Sequence, residues 1–355
     1  MKLDTLNPDD PGWRLLAAGL REAGYRTGTV RELLGVDEPV ERILGDSGRF
    51  SYFYLEELAG HRDAVAVLAR LFLFAGEVAA EELDPLPRPL LDLLWERELI
   101  RADPADPSAV HATVCLVEYR GRYVLSDLLF ENRSTGFTVH DDSSLCMPLH
   151  SSSLELVEAL RAPADARSFL DVGCGSGCQS LLLGEGYGRR TGFDPNPRAV
   201  GFARLNAAVN GVEACFEVAG WETFRDAPYD HIAFNAPDTA AAFDYINDLG
   251  QGLDTMLSAT GHAQIRIVSE VTAQEGDWAG ALAARIPEMG RWEVDMLMHA
   301  DSPFGLAPEA VRSGKLPYGS LVVDHPSKTE EFWAGIAERQ VVEIVVSTLT
   351  MRRRP

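Results

Sequence analysis

Three glycines at alternate positions, Gly173, Gly175 and Gly177, divide the apolar segment FLDVGCGSGCQSLLL, residues 169–183. A loop of this kind follows a strand and opens a helix; its glycines tolerate positive φ and let a ligand come close to the backbone. One acid, Asp171, stands two residues before the first glycine, and another, Asp194, lies seventeen residues past the last. Asp194 ends the next strand, where a carboxylate accepts two ribose hydroxyls. Asp171 suits the positive amine of an amino-acid ligand and is poorly placed for a pyrophosphate. The spacing G-x-G-x-G departs from the dinucleotide fingerprint G-x-G-x-x-G, and no G-x-x-x-x-G-K-[ST] phosphate cradle occurs. A ribose with an amine-bearing tail and no phosphate site describes S-adenosylmethionine better than NAD.

A second group of polar residues lies upstream in TVHDDSSLCMPLH, residues 138–150. His140, Asp141, Asp142 and His150 read as a surface loop, as contacts to a polar substrate or as metal ligands, although their spacing fits no metal signature. Cys174 and Cys178, which bracket the helix start, read as small packing residues. The five cysteines form no C-x-x-C pair and point to a reduced, cytoplasmic protein.

The 355 residues, 46% hydrophobic, are enough for two domains. Against 32 basic residues stand 54 acidic ones, and the net charge of −22 repels phosphate backbones and anionic lipid. The expected partner is therefore a small molecule, with neither nucleic acid nor membrane; oligomeric state leaves no mark in the sequence. No apolar run reaches the roughly 18 residues of a membrane span, and the N-terminus lacks a signal-peptide core.

Residues 1–110 have apolar positions at three- and four-residue spacing, including a run over 63–83, and predict a helical N-terminal domain. Two β-type runs around Arg120-Gly121 predict a hairpin, and residues 131–153 read as a polar, irregular connection on the substrate side. Over 154–355 strands alternate with helices, which predicts a doubly wound, largely parallel α/β domain. Residues 300–328, rich in Pro and Gly, read as a pocket wall or an ordinary excursion.

The segments LDVGCGSG, GFDPNPRAVGFARLNAAVNGV and YDHIAFNAPD together resemble the class I S-adenosylmethionine-dependent methyltransferases, in particular the branch of release-factor glutamine and rRNA guanine methyltransferases. The resemblance covers about residues 165–240 well and the rest of the α/β domain by strand order. The order helical domain, hairpin, α/β domain is also similar to a group of two-domain actinobacterial methyltransferases. It implies a Rossmann-like domain with a seven-stranded, mostly parallel sheet and S-adenosyl-L-methionine as cofactor, with no metal. By this resemblance Asp171, Gly173, Gly175 and Gly177 line the methionine and ribose side, and Asp194 takes the ribose hydroxyls. Trp221 falls where the family places a residue against the adenine, as a stacking ring or simply as core; the usual acid is missing at Gly220.

The family's fourth motif, N-P-P followed by Tyr or Phe, reads here Asn235-Ala236-Pro237-Asp238. The resemblance makes the Asn235 side-chain oxygen and the Ala236 carbonyl the acceptors for a substrate N–H, beside the cofactor. The aromatic lid is lost, and Asp238 brings a carboxylate that suits an ammonium group, acts as a general base, or caps the following helix. Tyr245 is a candidate replacement for the aromatic ring. The expected function is methyl transfer to a small amine- or carboxyl-bearing metabolite, in specialised metabolism. The alternatives are a cyclase or lyase that consumes the cofactor and releases methylthioadenosine, a protein glutamine or rRNA methyltransferase, and a non-enzymatic cofactor-binding regulator.

Overall fold

The computed structural model describes residues 8, 10–37, 40, 43–44, 51–140, 142, 144–184, 186–221, 223–226, 228–237, 252–285, 291–316 and 326–354. Two units share the chain. One holds Met1–His150, Cys174–Gly184 and Asp194–Val218; the other holds Ser151–Gly173, Glu185–Phe193 and Ala219–Pro355.

In the first unit the helix Gly12–Glu22 buries Trp13, Leu16, Ala17 and Leu20, one stripe at helical spacing. The helix Arg88–Glu96 buries Leu90, Leu93 and Leu94 in the same way. The apolar run over 63–83 is not one helix. Asp63 caps Ala64–Leu68 through the Val65 and Ala66 amides, a π-turn follows over Ala69–Leu73, and the chain then breaks at Ala75, where φ is 49°. Gly76 permits the break, since a Cβ there would lie 2.6 Å from Leu55 Cδ2. Beyond it come strand β1 (Glu77–Ala79), a 3₁₀ turn over Ala80–Leu83, β2 (Ile100–Ala102) and β3 (Ala109–Ala112), in an antiparallel sheet ordered β1-β3-β2. A run buried all round carries no periodicity, so helix and strand look alike within it.

The hairpin at Arg120-Gly121 pairs β4 (Cys115–Tyr119) with β5 (Arg122–Ser126). Both turn residues have positive φ, 51° and 78°, which matches the primed turn that two-residue hairpins use. A second hairpin, β6 (Phe130–Arg133) with β7 (Gly136–Val139), occupies what the sequence presents as an irregular connection. Neither of its strands has a fully buried face, so it lacks the alternation that marks a strand. The outer edge of β5 is held by side chains. Asn206 and Asn210, one turn apart on the helix Pro197–Asn210, exchange amide hydrogen bonds with the backbone N–H and C=O of Leu125 and of Tyr123 respectively, at 2.7–2.9 Å.

From Ser168 onward the chain alternates: β8 (Ser168–Val172), helix Cys178–Leu182, β9 (Arg189–Asp194), helix Pro197–Asn210, β10 (Cys215–Val218), β11 (Tyr229–Asn235), β12 (Leu257–Thr272), helix Trp278–Arg285, β13 (Trp292–Met298), helices Pro308–Ser313 and Pro326–Glu338, and β14 (Val341–Arg353). Within the second unit the strands lie in the order β9-β8-β11-β12-β14-β13. β9, β8, β11 and β12 pair in parallel, and β14 runs antiparallel to both of its neighbours. β10 belongs to the first unit's share of the chain. The core of this Rossmann-like α/β sheet is apolar, with Leu170, Ile232, Ile265 and Leu349 all at 0% exposure. Strand order reverses at β8, with β9 on one side and β11 on the other, and in such sheets the crevice at the carboxyl ends is where ligands bind.

Candidate functional site

β8 is buried along its length and carries Asp171, 1% exposed, in register with Gly192 of β9 and Ala233 of β11. The three glycines that follow have φ of 57°, 53° and 79°, all in the left-handed region that a side chain strains. Gly177 is needed for space as well, because a Cβ there would stand 3.1 Å from Ala203 Cβ and from the Phe216 ring. A Cβ on Gly175 would meet nothing within 4 Å, so the loop backbone there lies open to a ligand.

Asp194 accepts the Gly175 amide at 3.0 Å on one oxygen and the Asn196 amide at 2.8 Å on the other. Its carboxyl is thereby tied to the glycine loop and still has lone pairs for two hydroxyls. Burial pushes its pKa above the usual carboxylate range, against the pull of those two N–H donors. Asn196 caps the helix Pro197–Asn210 through the Arg198 amide, and its Nδ2 donates to the Ser144 carbonyl at 2.9 Å. Arg198 grips the buried Asp127 with two nitrogens, and Asp127 also accepts the Cys146 amide at 2.8 Å. Segment 144–146 of the upstream loop is thus fastened to the residues just after Asp194.

His140 lies immediately after β7, with Nε2 3.0 Å from Glu131 Oε1. Asp142 is exposed and accepts the Ser144 amide at 2.8 Å, and the Ser144 bonds hold its carboxyl below the usual range. His150 directly precedes the helix Ser151–Ala159. Among the described residues no group of three His, Cys, Asp or Glu is arranged to hold a metal ion. Asp141, Asp238 and Tyr245 lie outside the described residues.

Asn235 ends β11 in the second unit. Its Nδ2 donates to Ser152 Oγ at 3.2 Å, while its Oδ1 is buried and has no hydrogen-bond partner. A buried acceptor without a donor costs about 1–3 kcal/mol, an imbalance that a bound N–H removes. Ala236, 2% exposed, donates its amide to the Arg266 carbonyl at 3.1 Å. The Arg266 side chain is fully buried on β12, its Nε 2.7 Å from Glu155 of the Ser151–Ala159 helix, with its guanidinium 4.9 Å from the Phe304 ring centre. Trp221 is partly buried and makes edge contacts with Phe193 and Phe234 at centroid distances of 5.4 and 5.7 Å. It packs against the core of the second unit.

Ser152, Glu155, Arg266, Asp127 and Arg198 escape sequence reasoning. Arg266 sits inside GHAQIRIV, where a lone charge reads as a solvent-facing strand position. The Asp127–Arg198 pair spans 71 residues and leaves no local pattern. The N-cap followed by proline at Asn196-Pro197 is the one legible signal nearby.

Residues 149–271 match the methyltransferase small domain family. A release factor glutamine methyltransferase of Geobacter sulfurreducens is 30% identical over 138 residues, 38% of this chain and 49% of that protein. A ubiquinone biosynthesis O-methyltransferase of Alkalilimnicola ehrlichii is 32% identical over 115 residues, 30% of this chain and 44% of that one. The chain therefore spans less than half the length of these curated relatives. Among solved structures, a geranyl diphosphate C-methyltransferase from Streptomyces coelicolor aligns with TM-score 0.39 at 13% identity, over 57% of this chain and 79% of that one. A ribosomal protein L11 methylase from Lactobacillus delbrueckii subsp. bulgaricus aligns with TM-score 0.37 at 15% identity, over 68% and 99%.

Proposed function

We propose that this chain, whose residues 149–271 match the methyltransferase small domain family, is a class I S-adenosylmethionine-dependent methyltransferase that transfers a methyl group to a small amine- or carboxyl-bearing metabolite. The observation that carries the proposal is the buried, unpartnered Oδ1 of Asn235, left as the unfilled acceptor while its amide nitrogen donates to Ser152. The cofactor, when bound, supplies a methyl on a sulfonium. The family resemblance assigns its ribose to Asp194 and the glycine loop, its amine to Asp171 and its adenine to Trp221, the residues that would hold it. Asn235 and the Ala236 carbonyl accept the acceptor's N–H and turn the nitrogen lone pair toward the methyl; alignment of this kind is the main task in an in-line displacement. The acidic chain and the missing aromatic lid favour an amine over a planar amide or a nucleobase.

The test is incubation of the full chain with S-adenosylmethionine, first alone and then with a panel of amines and amino acids, read by mass spectrometry. A cofactor left intact until an acceptor is added, then converted to S-adenosylhomocysteine, is expected. Asn235→Ala should slow that conversion by about 100-fold, the cost of a misplaced nucleophile. Methylthioadenosine formed without an acceptor would overturn methyl transfer in favour of a cyclase or lyase. Methyl incorporation into protein or RNA alone would overturn the small-molecule acceptor.

A further inference from the structure

The acceptor pair Asn235 and Ala236 lies at the end of β11, and within the second unit one residue of β12 is tied to both of them. Arg266 is the register partner of Asn235, and its carbonyl accepts the Ala236 amide at 3.1 Å. Its side chain is fully buried and donates from Nε to Glu155 at 2.7 Å, beneath the Phe304 ring. Glu155 stands three residues after Ser152 on the helix Ser151–Ala159, so the two side chains leave one face of that helix. Ser152 Oγ receives the Asn235 amide nitrogen at 3.2 Å, one turn from where Glu155 receives Arg266. β12 also holds the far end of the helix, where Gln264 Nε2 donates to the Ala159 carbonyl at 3.1 Å.

A buried ion pair of this kind adds little to stability. Withdrawing two charges from water costs about as much as their attraction returns, and apolar side chains of similar volume commonly replace such a pair without loss. What the pair supplies is direction, which apolar contact lacks. Burial of Leu154, Leu156 and Val157 keeps the helix on the sheet but does not fix how far it slides. The Asn235–Ser152 bond lies at the long end of the roughly 2.7–3.2 Å range, so a slide of a few tenths of an ångström breaks it. The two ends of an asparagine amide have almost the same shape, and without that bond nothing separates donor from acceptor. We propose that Arg266 is the positioning residue of the acceptor pair: its carbonyl seats Ala236, and its grip on Glu155 keeps Ser152 against the Asn235 nitrogen, which leaves Oδ1 as the acceptor. The inference rests on Asn235 being the acceptor and adds the part that sets its orientation.

Two variants of the full chain separate position from stability. Arg266→Met combined with Glu155→Leu replaces the pair by apolar side chains, whereas Glu155→Gln keeps the length and the accepting oxygen and removes the charge that offsets Arg266. The paired substitution should leave the urea midpoint near wild type and S-adenosylhomocysteine affinity unchanged, and should lower kcat by about 10- to 100-fold, the scale of a misplaced nucleophile. Glu155→Gln should do the reverse, losing stability while retaining kcat. A role in stability alone would move kcat and midpoint together. Ser152→Ala added to the paired substitution should slow turnover no further, since both act through one bond. Isotopic labelling of asparagine nitrogen gives a readout that needs no turnover. The Asn235 side-chain NH2 signal, assigned by its loss in Asn235→Ala, should shift and exchange faster with water in the paired variant. A paired variant as fast as wild type, a further loss on adding Ser152→Ala, a folded Glu155→Gln without turnover, or an unmoved NH2 signal overturns the proposal. Unaltered turnover in Asn235→Ala would instead overturn the role of Asn235 as acceptor, while the NH2 signal would still report whether Arg266 positions its amide.

Discussion

At the scale of single residues, the proposed seat of the cofactor's ribose at Asp194 would link cofactor affinity to pH. Hydroxyl donors favour its ionised form, and burial has raised the pH at which that form is lost. Affinity for S-adenosylhomocysteine should therefore be level at neutral pH and fall as pH drops through the raised pKa, above the point at which an exposed aspartate would begin to titrate. Asp194→Asn should weaken binding by about 10- to 100-fold at pH 7.5, as for a lost bond to a charged group, and should flatten the profile. Calorimetry from pH 7.5 to 4.5 checks both. The glycines, Asp171, Asp194 and Asn235 stand out in the sequence as site candidates because residue type and spacing form a local pattern. The contacts that surround them do not. Nothing near Asn235 in the chain announces that Ser152, 83 residues away, orients its amide.

At the scale of elements, Asn206 holds three bonds at once. Its Oδ1 accepts the Leu125 amide, and its Nδ2 donates to the carbonyls of Leu125 and of Ser176 in the glycine loop, at 2.8, 2.8 and 2.9 Å. The side chain is fully buried, so Asn206→Ala leaves those partners without replacement and should cost about 3 kcal/mol, at about 1 kcal/mol per bond. Asn206→Asp should cost more, because a carboxylate keeps the acceptor and faces two carbonyls without a donor. Urea midpoints at unchanged m-values check the order. An asparagine inside a helical sequence reads as a weak helix former facing solvent, so the clamp is invisible before the fold is known. The β6–β7 hairpin stays hidden for a related reason: its strands have no buried face to set an alternation. The parallel strands and the primed hairpin at Arg120-Gly121 are legible because burial or turn chemistry imposes a local pattern.

At the scale of the whole molecule, acid stability is set partly by a buried histidine. His231, 0% exposed, accepts the Tyr187 hydroxyl at 2.6 Å on Nδ1 and faces Gln264 Oε1 at 3.0 Å with Nε2, an arrangement for the neutral ring. Burial, with the neighbouring His262, lowers its pKa to about 3. The unfolded chain then binds the extra proton at higher pH than the folded one. The stabilisation is complete above the ordinary histidine value of about 6.5 and is lost as pH falls toward 3, at about 1.4 kcal/mol per pH unit. Against a His231→Gln variant, the wild type should therefore lose its advantage as denaturation is followed from pH 7 to pH 4. The alternation that gives the second unit its sheet is readable in the sequence; the path by which the two units share the chain is not, since it depends on contacts far apart in sequence. That path has a consequence for synthesis on the ribosome. When β5 has emerged, the asparagines that cover its edge lie 81 and 87 residues downstream of their backbone partners. At about 5–20 residues per second, an elongating chain holds that strand edge bare for roughly 4–17 s, time in which a neighbouring nascent chain can add to it.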